Sequence, residues 1–216
     1  LLNEYFVIPI ESLTAFIIAS ILLALAPGPD NIFVLTQSSV NGHKAGLFVT
    51  LGLCTGLIVH TTAVALGIAA LFQSSYAAFT LLKIVGVIYL LYLAWQAFHA
   101  RAEEIGNNEI SGASGIKFYL RGIIMNVTNP KVSIFFLAFL PQFVVPSSGS
   151  ITLQIFILGA IFILVTLVVF GGIALLAGYV GRWLNTSPRA QIILNRIAGT
   201  VFVVLALKLV TAEINS

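Results

Sequence analysis

Charge is what this sequence has least of. Asp, Glu, Lys and Arg make up 8% of the 216 residues and hydrophobic residues 59%, whereas roughly a quarter of an ordinary soluble domain is charged. Too little polar surface remains to face water, so a bilayer is the solvent for most of the chain. Cysteine is nearly absent as well. Cys54 alone excludes an intramolecular disulfide and any dithiol chemistry, and its apolar neighbourhood suits a small buried thiol.

Acidic residues are fewer than basic ones, giving a net charge of +3. In a soluble protein this excess would suggest nucleic acid; here its carriers sit at the ends of apolar runs, where they report topology, and no nucleic-acid partner is expected. The first run lacks a basic leader and ends Ala24-Leu25-Ala26-Pro27, with proline where cleavage would be needed, so it is expected to stay as a span.

What is present is a series of apolar stretches over 7–40, 45–71, 76–98, 118–144, 151–178 and 190–211. At about 20 residues per crossing these predict an all-α integral membrane protein of six transmembrane helices, a single domain over 1–216. The longest polar piece, Arg101 to Lys117, divides it into repeat 1 (1–98), a linker (99–117) and repeat 2 (118–216). Lys44 marks the first connection, Arg101, Lys117 and Arg121 the third, and Arg182 and Arg189 the fifth, while the second and fourth have no Lys or Arg. The positive-inside rule puts the odd connections, the linker included, in the cytoplasm and both termini outside.

The halves resemble each other. Thr61 and Ala65–Leu71 match Thr166 and Phe170–Leu176 with five identities in eight positions. Lys83–Tyr89 matches Arg196–Phe202, and Gly28-Pro29-Asp30 aligns with Asn129-Pro130-Lys131. A repeat of three spans must enter the membrane upside down, which predicts an inverted-topology architecture.

Span one is interrupted by Pro27, Gly28 and Pro29, which remove backbone donors and forbid a continuous helix. Gly28 is expected to cap a second half-helix starting at Pro29, as Asn129 caps one starting at Pro130 in span four. Free N–H groups at such intramembrane termini suit a carboxylate. Asp30 and Lys131 then occupy equivalent places with opposite charge. An unpaired charge at the bilayer centre costs about 2.5–3.5 kcal/mol on insertion scales, so the two are expected to pair with each other, with substrate or with water, at a shared midplane.

Asn31, Gln37, Asn126, Thr128, Asn129 and Ser133 carry amides and hydroxyls that can read an ammonium or a carboxylate, or join helices together. His60 lies inside span two and breaks the repeat symmetry, opposite Val165; it can relay protons or bridge helices. Lys83, Arg196 and Lys208 are expected to anchor helix ends. Gly52 and Gly56, with Gly46, Ala63, Gly67, Gly171 and Gly178, predict close helix packing, within a subunit or in a homodimer.

Pro27-Gly28-Pro29-Asp30-Asn31, Gly42-His43-Lys44-Ala45-Gly46, Leu51-Gly52 with Gly56 and His60, Gly86 with Tyr89–Leu93, Asn129-Pro130-Lys131 and Phe139–Phe143 resemble the LysE/RhtB amino-acid exporters over nearly the whole chain. The resemblance implies export of an amino acid or close derivative across a bacterial inner membrane, driven by the proton motive force, without ATP, cofactor, metal or covalent step. Asp30 stands where many members carry Asn. Leu57 stands where some relatives carry an acid, which shifts any proton-carrying role to Asp30 or His60. The expected substrate site comprises Asp30, Asn31, Lys131, Asn126, Asn129 and Gln37. A membrane thiol-disulfide reductase of similar design would need a cysteine in each half, and Cys54 is alone. A divalent-cation exporter would want several converging ligands, and only Asp30 and His60 offer themselves.

Overall fold

The structure is a computed structural model, and it describes residues 8–74, 76–100 and 114–211. Among these there is no strand. The helices are α1 (Ile10–Leu25), α2 (Pro29–Asn41), α3 (His43–Ser74), α4 (Tyr76–His99), α5 (Gly115–Thr128), α6 (Pro130–Ile134), α7 (Ile151–Thr186) and α8 (Pro188–Thr211). Most of the predicted linker, residues 101–113, lies outside the described residues; its last residues, Gly115–Lys117, already belong to α5.

The breaks inside the two bent helix pairs fall at residues that precede proline. The proline ring crowds the residue before it out of the α region and leaves that residue extended. Ala26 before Pro27 has φ −60° and ψ 120°, Gly28 before Pro29 has φ −170° and ψ 177°, and Asn129 before Pro130 has φ −77° and ψ 109°. The chain bends by 57° between α1 and α2, and by 51° between α5 and the helical segment Pro130–Phe143. That segment continues from α6 through a π-helical turn, Phe135–Phe139, and a 3₁₀ turn, Leu140–Phe143. Pro141, which has no N–H to give to Leu137, explains why the α pattern is lost there.

Parts of α3, α7 and α8 are long and apolar enough to cross a membrane, and each bent pair counted as one span raises the number to five. In α4 the apolar stretch Lys83–His99 is shorter. α3 packs on α5 and α7, α4 on α8, and α2 against both α3 and α7.

Glycine sets the closest approaches. A Cβ on Gly52 would collide with the Tyr119 carbonyl, and one on Gly122 with the Val49 carbonyl, so the α3 and α5 backbones touch. Gly56 makes room for the Asn126 side chain, and Gly46 lies against Ser38 and Ala174. These predicted contacts are internal to the chain. Gly67, Gly171 and Gly178, expected to pack closely as well, have nothing within 4 Å, and Ala63 is exposed.

The apolar interior falls into two clusters. The larger holds an aromatic group in which Phe16, Phe135, Phe139, Phe143 and Phe162 interlock, with neighbouring ring centroids 5.1–6.5 Å apart. The smaller gathers Ala24, Val34, Val49, Leu53, Phe118, Phe170 and Ala174. Cys54 is buried as expected. Lys208, expected as a terminal anchor, sits 4.3 Å from the centroid of Phe143.

Candidate functional site

The two helix breaks meet. At the first, α1 ends with carbonyls that no later N–H in its own helix can satisfy, and α2 begins with its amides free. At the second, Asn129 caps α6 by accepting from Lys131 N at 3.0 Å through Oδ1, which fixes the backbone from which the Lys131 side chain departs.

Lys131 reaches across to the first break. Its ammonium donates to the Ala26 carbonyl at 3.0 Å and, more weakly, to that of Leu23 at 3.5 Å. Gly28 forms the wall beside it: a Cβ there would lie 2.9 Å from Nζ. The sequence puts the lysine where its own helix disfavours a cation, and the structure resolves the conflict. The charge is delivered to the C-terminal end of α1, the negative pole of that helix.

Asp30 lies in the first turn of α2, where the helix N-terminus favours an anion, and is only 3% exposed. Of the partners expected for it, Lys131 makes no direct ion pair with it. Asp30 Oδ1 is buried without a hydrogen-bond partner, while the ammonium is taken up by carbonyls. Asp30 and Lys131 nevertheless border the same cavity, together with Asn126.

Between these groups is a cavity of about 20 Å³, lined by Asp30, Asn126, Lys131 and Thr166 among apolar residues. It lies where the two apolar clusters meet: Leu23, Leu57, Val132 and Phe162 belong to the larger, Ala24, Leu53 and Phe170 to the smaller. Such a space holds about one water.

Other expected site residues take different places. Asn31 ties the break together, its Nδ2 donating to the Ala24 carbonyl at 2.7 Å. Gln37 is fully buried away from the cavity, where its Oε1 accepts from Asn41 at 2.9 Å. Ser133 and Thr128 return their hydroxyls to Asn129 and Ile124 carbonyls. His60 Nε2 lies 3.1 Å from the Asn126 carbonyl; since a carbonyl only accepts, Nε2 carries a proton and donates. The ring also lies against Phe136. Thr166 is the polar residue sequence reasoning missed. Its match to Thr61 was a visible signal, but not the direction of its hydroxyl.

Among the described residues no group of three His, Cys, Asp or Glu is placed to hold a metal ion. No solved structure matches the chain. The homoserine/homoserine lactone efflux protein of Salmonella typhimurium is 33% identical over 199 residues, 92% of this chain and 96% of that protein. An uncharacterized membrane protein of Vibrio cholerae is 30% identical with the same coverage. An uncharacterized membrane protein of Bacillus subtilis is 29% identical, covering 92% of this chain and 98% of its own length. The family model for LysE type translocators matches residues 21–213. With that match and those identities over nearly its whole length, the chain belongs to the LysE type translocator family.

Proposed function

We infer that the protein is a multi-pass exporter of the bacterial inner membrane that moves an amino acid or close derivative out of the cytoplasm. The observation that carries this is the cavity at the two helix breaks, which holds one buried carboxylate and one buried ammonium among apolar walls. That pair complements a zwitterion: Asp30 receives the α-ammonium, Lys131 and the amides at the start of α2 receive the α-carboxylate. Asn31, Asn126 and Asn129 hold the breaks and the carboxylate in register. The efflux protein of Salmonella typhimurium is named for homoserine and its lactone, which makes homoserine the first compound to try.

The architecture that goes with this reading is six spans in two inverted repeats, 1–98 and 118–216, joined by a cytoplasmic linker, 99–117, with both termini outside. Three features support it. The two bent pairs break at matching motifs, and elements matched in sequence pack on each other, α3 on α7 and α4 on α8, as an inverted repeat would have them. A cavity lined by residues of both apolar clusters fits alternating access, in which one cluster parts at a time.

Export is driven by protons in this reading. Asp30 serves both ligands: a proton from outside and the substrate ammonium from inside compete for one carboxylate, so each displaces the other. His60 spends its Nε2 proton on the Asn126 carbonyl, which makes it a positioning residue.

Amino acids inside and outside cells that overproduce the chain provide the test. One amino acid should fall inside and rise outside relative to cells with an empty vector. No change in any amine or carboxylate metabolite would overturn the reading.

A further inference from the structure

A buried polar atom without a partner is costly, on the order of 1–3 kcal/mol, and native structures seldom keep one without a use. Here three of them border one cavity: Asp30 Oδ1 on α2, Asn126 Oδ1 on α5 and Thr166 Oγ1 on α7. Their residues are 3%, 2% and 3% exposed, so bulk water does not satisfy them. All three are oxygen acceptors, and they come from three different helices.

Thr166 makes the pattern specific. A buried hydroxyl in a helix can donate to the carbonyl four residues earlier, and Ser20, Ser38, Thr50 and Thr61 do so at 2.6–2.9 Å. Thr61, the residue that matches Thr166 in the first half, donates to Leu57 and packs against Gly159. Thr166 makes no such bond. Its hydroxyl is left for something in the cavity.

We propose that Asp30, Asn126 and Thr166 form a three-oxygen seat for the substrate's unsubstituted ammonium group, in which Thr166 takes the hydrogen that an N-substituent would replace. The inference rests on the exporter reading and sharpens its substrate class to free primary amines. A primary ammonium has three N–H donors for the three acceptors, and a cavity of about 20 Å³ is sized for one nitrogen or oxygen atom with its hydrogens. A water brings only two donors. With Asp30 already offset by Lys131, a metal cation would leave the cavity with a net positive charge, whereas a zwitterion brings its own carboxylate and adds none.

The test is uptake into inside-out vesicles of L-homoserine, its N-methyl derivative and each of the standard amino acids, by the wild-type chain, Thr166→Val, Thr166→Ser and Thr61→Val. Wild type should favour homoserine over N-methylhomoserine by at least tenfold in apparent affinity. Thr166→Val, which keeps the shape and loses the hydroxyl, should bind homoserine about tenfold more weakly and lose most of that preference, since a single charge-assisted hydrogen bond is worth roughly a factor of ten or more. Thr166→Ser should restore both, and Thr61→Val should keep the preference. Wild-type uptake with an unchanged preference in Thr166→Val, or uptake that requires Na⁺ and ignores N-methylation, overturns the seat alone. Wild-type vesicles that take up no amino acid overturn the exporter reading and the seat with it.

Discussion

The Lys131 ammonium lies 3.0 Å from the carbonyl oxygen of Ala26, a residue 105 positions earlier in the chain. This contact joins the two broken helices and solves an electrostatic problem in each. It gives the last turn of α1 a donor for its free carbonyls, and it moves a cation away from the N-terminus of its own helix to the C-terminus of another.

The space for that ammonium is made by Gly28. A Cβ at this position would come within 2.9 Å of Nζ. Gly28→Ala should therefore displace the ammonium, lowering uptake by about tenfold for a displacement costing roughly 1–3 kcal/mol. Lys131→Arg should not rescue function, because the guanidinium is larger and the wall is backbone. Wild-type uptake in both variants would show that the position of the ammonium is unimportant.

Helix contacts divide the glycines into two groups. Gly52→Ala should destabilise the protein by about 1–3 kcal/mol, because its Cβ meets α5 backbone that cannot swing aside. Gly171→Ala meets nothing within 4 Å and should be neutral or stabilising by up to about 1 kcal/mol through helix propensity. Thermal unfolding in detergent separates them, and equal effects would contradict the packing described.

Much of this was legible in the sequence, and the reasons differ by feature. Pro27, Pro29 and Pro130 announced both breaks because the constraint of proline on the preceding residue is local. The caps at Gly28 and Asn129 followed for the same reason. The partner of Lys131 was not legible, since which carbonyls face a side chain depends on how two distant helices are rotated. Thr166 was hidden likewise: a threonine in an apolar helix reads as one that bonds its own backbone, as Thr61 does. Gln37 looked like a site residue by composition and is instead a partner of Asn41.

Gln154 is fully buried near the start of α7 and holds the preceding loop from both sides. Its Oε1 accepts from Val145 N at 2.9 Å, and its Nε2 donates to the Val145 carbonyl at 2.9 Å. Gln154→Leu should cost about 1–3 kcal/mol and speed amide hydrogen exchange at Val145, because the backbone groups lose their partner without gaining water. Unchanged exchange there would mean the loop is held by other contacts.

His60 donates to the carbonyl of Asn126, whose side chain lines the cavity. His60→Gln retains an N–H donor and should keep proton-driven uptake within about threefold, whereas His60→Leu should lose about tenfold, the worth of one hydrogen bond. Loss of proton drive in His60→Gln with exchange of substrate intact would make the histidine the proton carrier instead of Asp30.

In the proposed function, the buried pair of opposite charges at the helix breaks carries an amino acid. This is tested most directly by uptake of labelled L-homoserine into inside-out vesicles with an acid interior, comparing wild type, Asp30→Asn and Lys131→Ala at equal membrane content. Wild type should show uptake above empty-vector vesicles that collapses with the pH gradient, and both variants should show background uptake. Wild-type rates in Asp30→Asn and Lys131→Ala together would contradict it.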